Sequence, residues 1–333
     1  MAELGRECEI GWQPTVLAPV FYGTSDFSLA DGPAVRMRVF FPTIDGSPQN
    51  AAILTGCGRY PLIAFLHGHC ELQRERHKLW LLHPAQLARS GYVVVVPELR
   101  NYGPFDSSNP EIAQVLDVLT WMRSSWSHAA ALLPPPMTAV VGHSWGAMLG
   151  GHVARNLALT NSCSAYASLS GGWVEHPLPR PLSALNMATM FMWGTGIEIP
   201  EPYAQLEGPN DAVWHETPGA THKVVFRGGE HWDYLQPGIS TCETTRGPCE
   251  LIQSLSADFL TSFLSHYVPP HPSTNSAIPH SLTIPLPLNL TLQQEFYAGG
   301  HLQGFAQIGT ATGCSVKHTW RLPPFGGGSV TLP

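Results

Sequence analysis

Charge is scarce in this chain. Asp, Glu, Lys and Arg make up 12% of its 333 residues, and only three are lysines: Lys78, Lys223 and Lys317. The formal net charge is −7 and no basic cluster or stripe occurs, so the footprint of a nucleic-acid-binding protein is missing. No apolar run approaches the ~20 residues that a membrane span requires. The N-terminus, MAELGRECEIGWQP, lacks the charged-then-apolar pattern of a signal peptide. The expectation is therefore a cytoplasmic protein, or a secreted one if the sequence begins after a removed signal. Internal repeats are absent too. Cysteine is present but uninformative, with seven residues at irregular spacings. Cys242 and Cys249 bracket CETTRGPC and could close a loop disulfide in an oxidising compartment, while buried or free thiols fit a cytosolic enzyme equally well. The sequon Asn289-Leu290-Thr291 is expected by chance at this length.

What the chain has is turns. Its 31 prolines and 32 glycines exclude a helical bundle, and 44% apolar content fits a globular core. From residue 35 onward, short β-rich runs alternate with longer helical ones. VRMRVFF (35–41), PLIAFL (61–66), YVVVVP (92–97), MTAVV (137–141), AYASLS (165–170), TMFMWG (189–194) and HKVVF (222–226) read as strands. YVVVVP is continuously apolar, as a central parallel strand buried on both faces must be. Helices are expected near 78–89, over 111–126, after Ser144, and over 249–266. In the second of these, Ile112, Val115, Leu116, Leu119 and Met122 fall on one face. Such alternation implies a mostly parallel α/β sheet with helices on both faces. This α/β unit is expected over residues 1–268. PPHPSTNSAIPHS suggests a Pro/Ser-rich linker at 269–280, and 281–333 reads as a small β-rich appendage.

Three turns carry the chemistry. In Gly142-His143-Ser144-Trp145-Gly146 a strand runs into a helix, and a side chain at −2 or +2 from the serine would collide with its neighbours. The serine is thereby presented at the sheet edge, in front of a helix N-terminus that favours negative charge. Leu66-His67-Gly68-His69-Cys70 follows an earlier strand. A glycine there lets the next N–H turn inward, so the N–H groups of Trp145 and His69 (Cys70 in reserve) are candidate oxyanion donors. His67, His69 and Cys70 could instead be metal ligands, but no second cluster completes the coordination. The third turn is Arg227-Gly228-Gly229-Glu230-His231-Trp232, which places a histidine between the last of these strands and the last helix. A general base belongs at that position.

Taken in order, HG after the early strand, GHSWG, and GGEH before the last helix resemble the α/β-hydrolase superfamily. PLIAFLHGH, LARSGYVVVVPE, EIAQVLDVLTWM and VVGHSWGAMLGG further resemble its dienelactone hydrolase, chlorophyllase, platelet-activating-factor acetylhydrolase and cutinase-like polyester hydrolase group, over roughly residues 15–268. The resemblance implies a serine hydrolase of carboxylic esters with Ser144 as nucleophile, His231 as base, and no metal or cofactor. It also implies an acid near the end of TMFMWG. No Asp stands there, and Glu198 takes the role, with Asp211 and Glu175 as alternatives. Only 18 residues, Gly171–Ala188, follow the strand AYASLS, too few for a large cap domain. An open, apolar cleft is expected, lined by some of Trp173, Trp193 and Trp232, that admits bulky, lipid-like or polymeric esters. An acyltransferase with the same triad, and a non-catalytic binding protein on this fold, are the competing readings.

Overall fold

A computed structural model describes residues 21–28, 35–43, 49, 51–55, 58–68, 82–99, 107–171, 187–194, 214, 217–227, 231, 233–234, 250–270, 290–297, 301–309 and 315–321. Among the described residues, eleven strands form one sheet. They are β1 (Phe21–Ser28), β2 (Arg36–Thr43), β3 (Leu62–Leu66), β4 (Val93–Pro97), β5 (Thr138–His143), β6 (Ala165–Leu169), β7 (Ala188–Gly194), β8 (Thr221–Arg227), β9 (Leu290–Tyr297), β10 (His301–Gly309) and β11 (Ser315–Arg321). Their spatial order is β1-β2-β4-β3-β5-β6-β7-β8-β11-β10-β9. The six from β4 to β8 are mutually parallel. Antiparallel strands flank them on both sides.

The all-apolar strands follow from burial on two faces. In β3, Leu62, Ala64 and Leu66 join one core cluster while Ile63 and Phe65 join the other. In β4 the split falls between Val93 and Val95 on one side and Val94 and Val96 on the opposite side. Helices α2 (Pro110–Ser124) and α3 (Trp145–Leu159) cover the first face. Helices α1 (Leu82–Arg89) and α4 (Glu250–Tyr267) cover the second. The α2 face buries Ile112, Val115, Val118, Leu119 and Met122, and Leu116 is only partly buried, one position off the expected stripe. Asn109 caps this helix by accepting the Glu111 N–H at 2.9 Å, and Pro110 supplies the first-turn residue that needs no donor.

One feature was unanticipated: β1 forms an antiparallel edge against β2. The C-terminal β-rich segment extends the same sheet, with β11 pairing along β8 from Thr221 to Arg227. The linker at 271–280 lies outside the described residues. The β6–β7 connection occupies 170–187, so the chain there is as short as the sequence indicates. Among the described residues, no helix is long and apolar enough to cross a membrane.

Candidate active site

Ser144 sits between β5 and α3 at φ 53°, ψ −120°, a left-handed conformation that non-glycine residues seldom hold without a functional reason. The glycines around it have the steric role their spacing indicates. A Cβ on Gly142 would drive into the Gly146 carbonyl, and one on Gly146 would lie 2.5 Å from the His67 carbonyl oxygen and closer still to that of Leu66. Both obstacles are backbone, which cannot swing aside. Ser144 remains partly exposed while its neighbours on either side are buried, so its hydroxyl is reachable where theirs are not.

His231 reaches it from the loop after β8. Its Nε2 lies 2.9 Å from Ser144 Oγ. Its Nδ1 lies 2.8 Å from Ser170 Oγ, at the C-terminal end of β6. His231 is 9% exposed, and burial pulls its pKa from 6.5 to about 4, so the imidazole is neutral at physiological pH. A second histidine, His143, packs beside it in a tilted arrangement with ring centroids 4.9 Å apart, and its Nε2–H donates to the His231 carbonyl at 2.9 Å. Burial, with the nearby His231, holds the His143 pKa well below its usual value, so it too is neutral. It holds the backbone at His231.

Two elements meet on the other side of Ser144. Trp145 is the first residue of α3, so its N–H belongs to the turn that faces out of the helix N-terminus. Gly68 brings the loop after β3 against the serine: a Cβ there would lie 3.0 Å from Ser144 Cβ and 2.7 Å from His143 Nδ1. His67 braces that loop. Its Nε2 accepts the Leu99 N–H at 2.9 Å, which leaves Nδ1–H to donate to the Gly68 carbonyl at 2.9 Å. Both ring nitrogens are thus committed within the fold, and His67 as placed has no lone pair to offer a metal. The Trp145 indole donates to Glu111 Oε2 at 3.4 Å, tying the residue after Ser144 to the start of α2.

The sequence-predicted residues divide accordingly. Ser144, His231 and Trp145 come together. His69, Cys70, Glu175, Glu198, Asp211, Trp173, Trp232, Cys242 and Cys249 lie outside the described residues. Trp193 does not line an open groove. It is 1% exposed, packed in the core with Trp214 and Phe191, and the Lys223 ammonium lies 4.6 Å from the Trp214 ring and 5.9 Å from its own. Its place near a strand end pointed to the site edge, but strand parity turns it into the α2–α3 face. Ser170, His143 and Glu111 went unpredicted. Ser170 carried one faint signal, a serine at a strand end followed by two glycines in SLSGG.

Residues 63–278 match the model of a family described as the alpha/beta hydrolase family. The match begins in β3 and runs past α4, taking in every described site residue. No curated protein matches the chain.

Proposed function

The chain belongs to the alpha/beta hydrolase family, and from that premise we propose that it is a serine hydrolase cleaving carboxylic esters through an acyl-enzyme. The 2.9 Å contact between Ser144 Oγ and His231 Nε2, on a strained elbow, carries this reading. In it, Ser144 attacks the ester carbonyl while His231 takes its proton. The N–H groups of Trp145 and His69 stabilise the tetrahedral oxyanion, with the positive end of α3 behind them. His231 then protonates the leaving alcohol, and a water molecule repeats the cycle on the acyl-enzyme. Glu198 is the carboxylate assigned to stabilise the imidazolium, with Asp211 and Glu175 as alternatives. Trp173 and Trp232 are the remaining candidates for the walls of an open cleft taking bulky, lipid-like or polymeric esters.

The experiment is a panel of p-nitrophenyl esters from acetate to octanoate, with an aromatic diester, run on wild type and Ser144→Ala. Wild type should turn over the longer acyl chains, and Ser144→Ala should lose at least about 10⁴-fold in kcat/KM. A fluorophosphonate should modify Ser144, located by peptide mapping. Label elsewhere, or undiminished turnover by Ser144→Ala, refutes the mechanism. Activity that vanishes at butyrate refutes the open cleft.

A further inference from the structure

Ser144 and Ser170 occupy equivalent places on neighbouring parallel strands. The β5–β6 ladder ends by pairing His143 with Leu169. One residue beyond, the Ser144 N–H donates to the Leu169 carbonyl at 3.0 Å and the Ser170 N–H to the Met192 carbonyl at 2.6 Å. Both serines then turn into the left-handed region, at φ 53° and 49°. Among the described residues only Asn161 joins them there as a non-glycine. The two hydroxyls grip opposite nitrogens of one ring, Nε2 on Ser144 at 2.9 Å and Nδ1 on Ser170 at 2.8 Å. Ser170 is 1% exposed, so its hydroxyl is a built contact within the site.

We propose that Ser170 is a positioning residue for His231: its Oγ accepts the Nδ1–H and thereby fixes the tautomer whose Nε2 can take the Ser144 proton. The proposal rests on the reading of Ser144 and His231 as nucleophile and base. A neutral imidazole carries one proton, and a general base needs Nε2 bare. Nδ1 must then donate, and among the described residues Ser170 Oγ is placed to accept at 2.8 Å. When the proton passes from Ser144 Oγ to Nε2 the ring becomes cationic, and Nδ1–H···Oγ becomes a charge-assisted hydrogen bond. Ser170 thus strengthens its hold as charge develops. Among the described residues, His143 is a titratable neighbour behind the ring, itself neutral, and it holds the backbone at His231 while Ser170 holds the ring plane.

The left-handed backbone at position 170 dictates the variants. Gly accepts φ 49° without strain and removes the hydroxyl, whereas Asn and Asp tolerate this region and restore an acceptor, neutral or charged. Nitrogen-15 NMR of the histidine rings in the free wild-type protein should show His231 protonated at Nδ1 and bare at Nε2 at pH 7.5. That readout needs no turnover, so it separates this proposal from the ester reading, which fails if no ester is cleaved and no probe reaches Ser144. Ser170→Gly should mix the tautomers and lower kcat roughly 10- to 100-fold, with KM changed less than about twofold. Ser170→Asn should recover much of that loss. Ser170→Asp should raise the acid-limb pKa of kcat/KM by about a unit or more, because a carboxylate favours the imidazolium. An Nε2-protonated ring in wild type overturns the proposal. So does a Ser170→Gly enzyme with wild-type kcat and tautomer, which would hand Nδ1 to Glu198, Asp211 or Glu175. A Ser170→Asp profile that does not move would reduce Ser170 to a structural role. If Ser170→Gly fails to fold, the Asn and Asp variants decide the same point.

Discussion

Lowering the pH from 7.5 to 5.5 protonates an ordinary histidine but should leave His231 neutral. Burial brings its pKa to about 4. The displacement from 6.5 corresponds to about 3 kcal/mol favouring the neutral ring. At pH 5.5 an imidazole of pKa about 4 is about 97% neutral, while one at the ordinary ~6.5 is about 9% neutral. The sign follows from the role: the neutral base works, so activity is full above the folded pKa and lost as pH falls through it. Measured by pH-stat on one ester, kcat/KM at pH 5.5 should therefore stay near its plateau, about tenfold above what an unperturbed histidine would allow. Each sample must be returned to pH 7.5 to show recovery, since His83 and His143 are also held neutral by burial, His83 at about 4. Unfolding lets these rings bind protons that the folded state refuses. Stability is accordingly full above about 6.5 and declines as pH falls toward about 4. An acid limb centred at or above 6.5, with the protein still folded, would refute the reasoning. It would mean that a carboxylate at the ring outweighs desolvation.

Three further outcomes are expected. Glu198→Gln should lower kcat by orders of magnitude in a folded protein, and an active Glu198→Gln beside an inactive Asp211→Asn would move the role to Asp211. Gly146→Ala forces a methyl against the Leu66 and His67 carbonyls, so it should cost on the order of 3 kcal/mol or more in denaturant unfolding and remove activity; a variant of unchanged stability and kcat would refute the elbow's steric account. A chain ending at residue 270 loses β11 from the whole length of β8 and bares a sheet edge. It should melt lower and aggregate with concentration while the folded fraction keeps its chemistry, as thermal melts with light scattering would show; an unchanged melt would mean that β9–β11 do not stabilise the sheet.

Much was legible in the linear chain because it depends on local rules. Periodicity and continuous β-branched runs such as YVVVVP specify strands buried on both faces, and the alternation with helices specifies a parallel sheet. GHSWG announced its own geometry, since the steric demand on Gly142 and Gly146 arises within a few residues of Ser144. His231 was found by its place after the last of the predicted strands. Other things depended on which elements lie side by side. Trp193 sits at a strand end like a groove residue, yet only the sheet's facing decides that it enters the core with Trp214. The C-terminal strands read as an appendage because no local pattern says that β11 will pair with β8 across almost a hundred residues. The contact of Ser170 with the His231 Nδ1 was equally hidden. Among the described residues the Ser170 hydroxyl stands there because β5 and β6 are neighbours in register and deliver two serines to one ring, while the carboxylate expected after β7 lies outside the described residues. Such a contact joins residues 61 positions apart. Its existence depends on strand order, which no short window of sequence encodes.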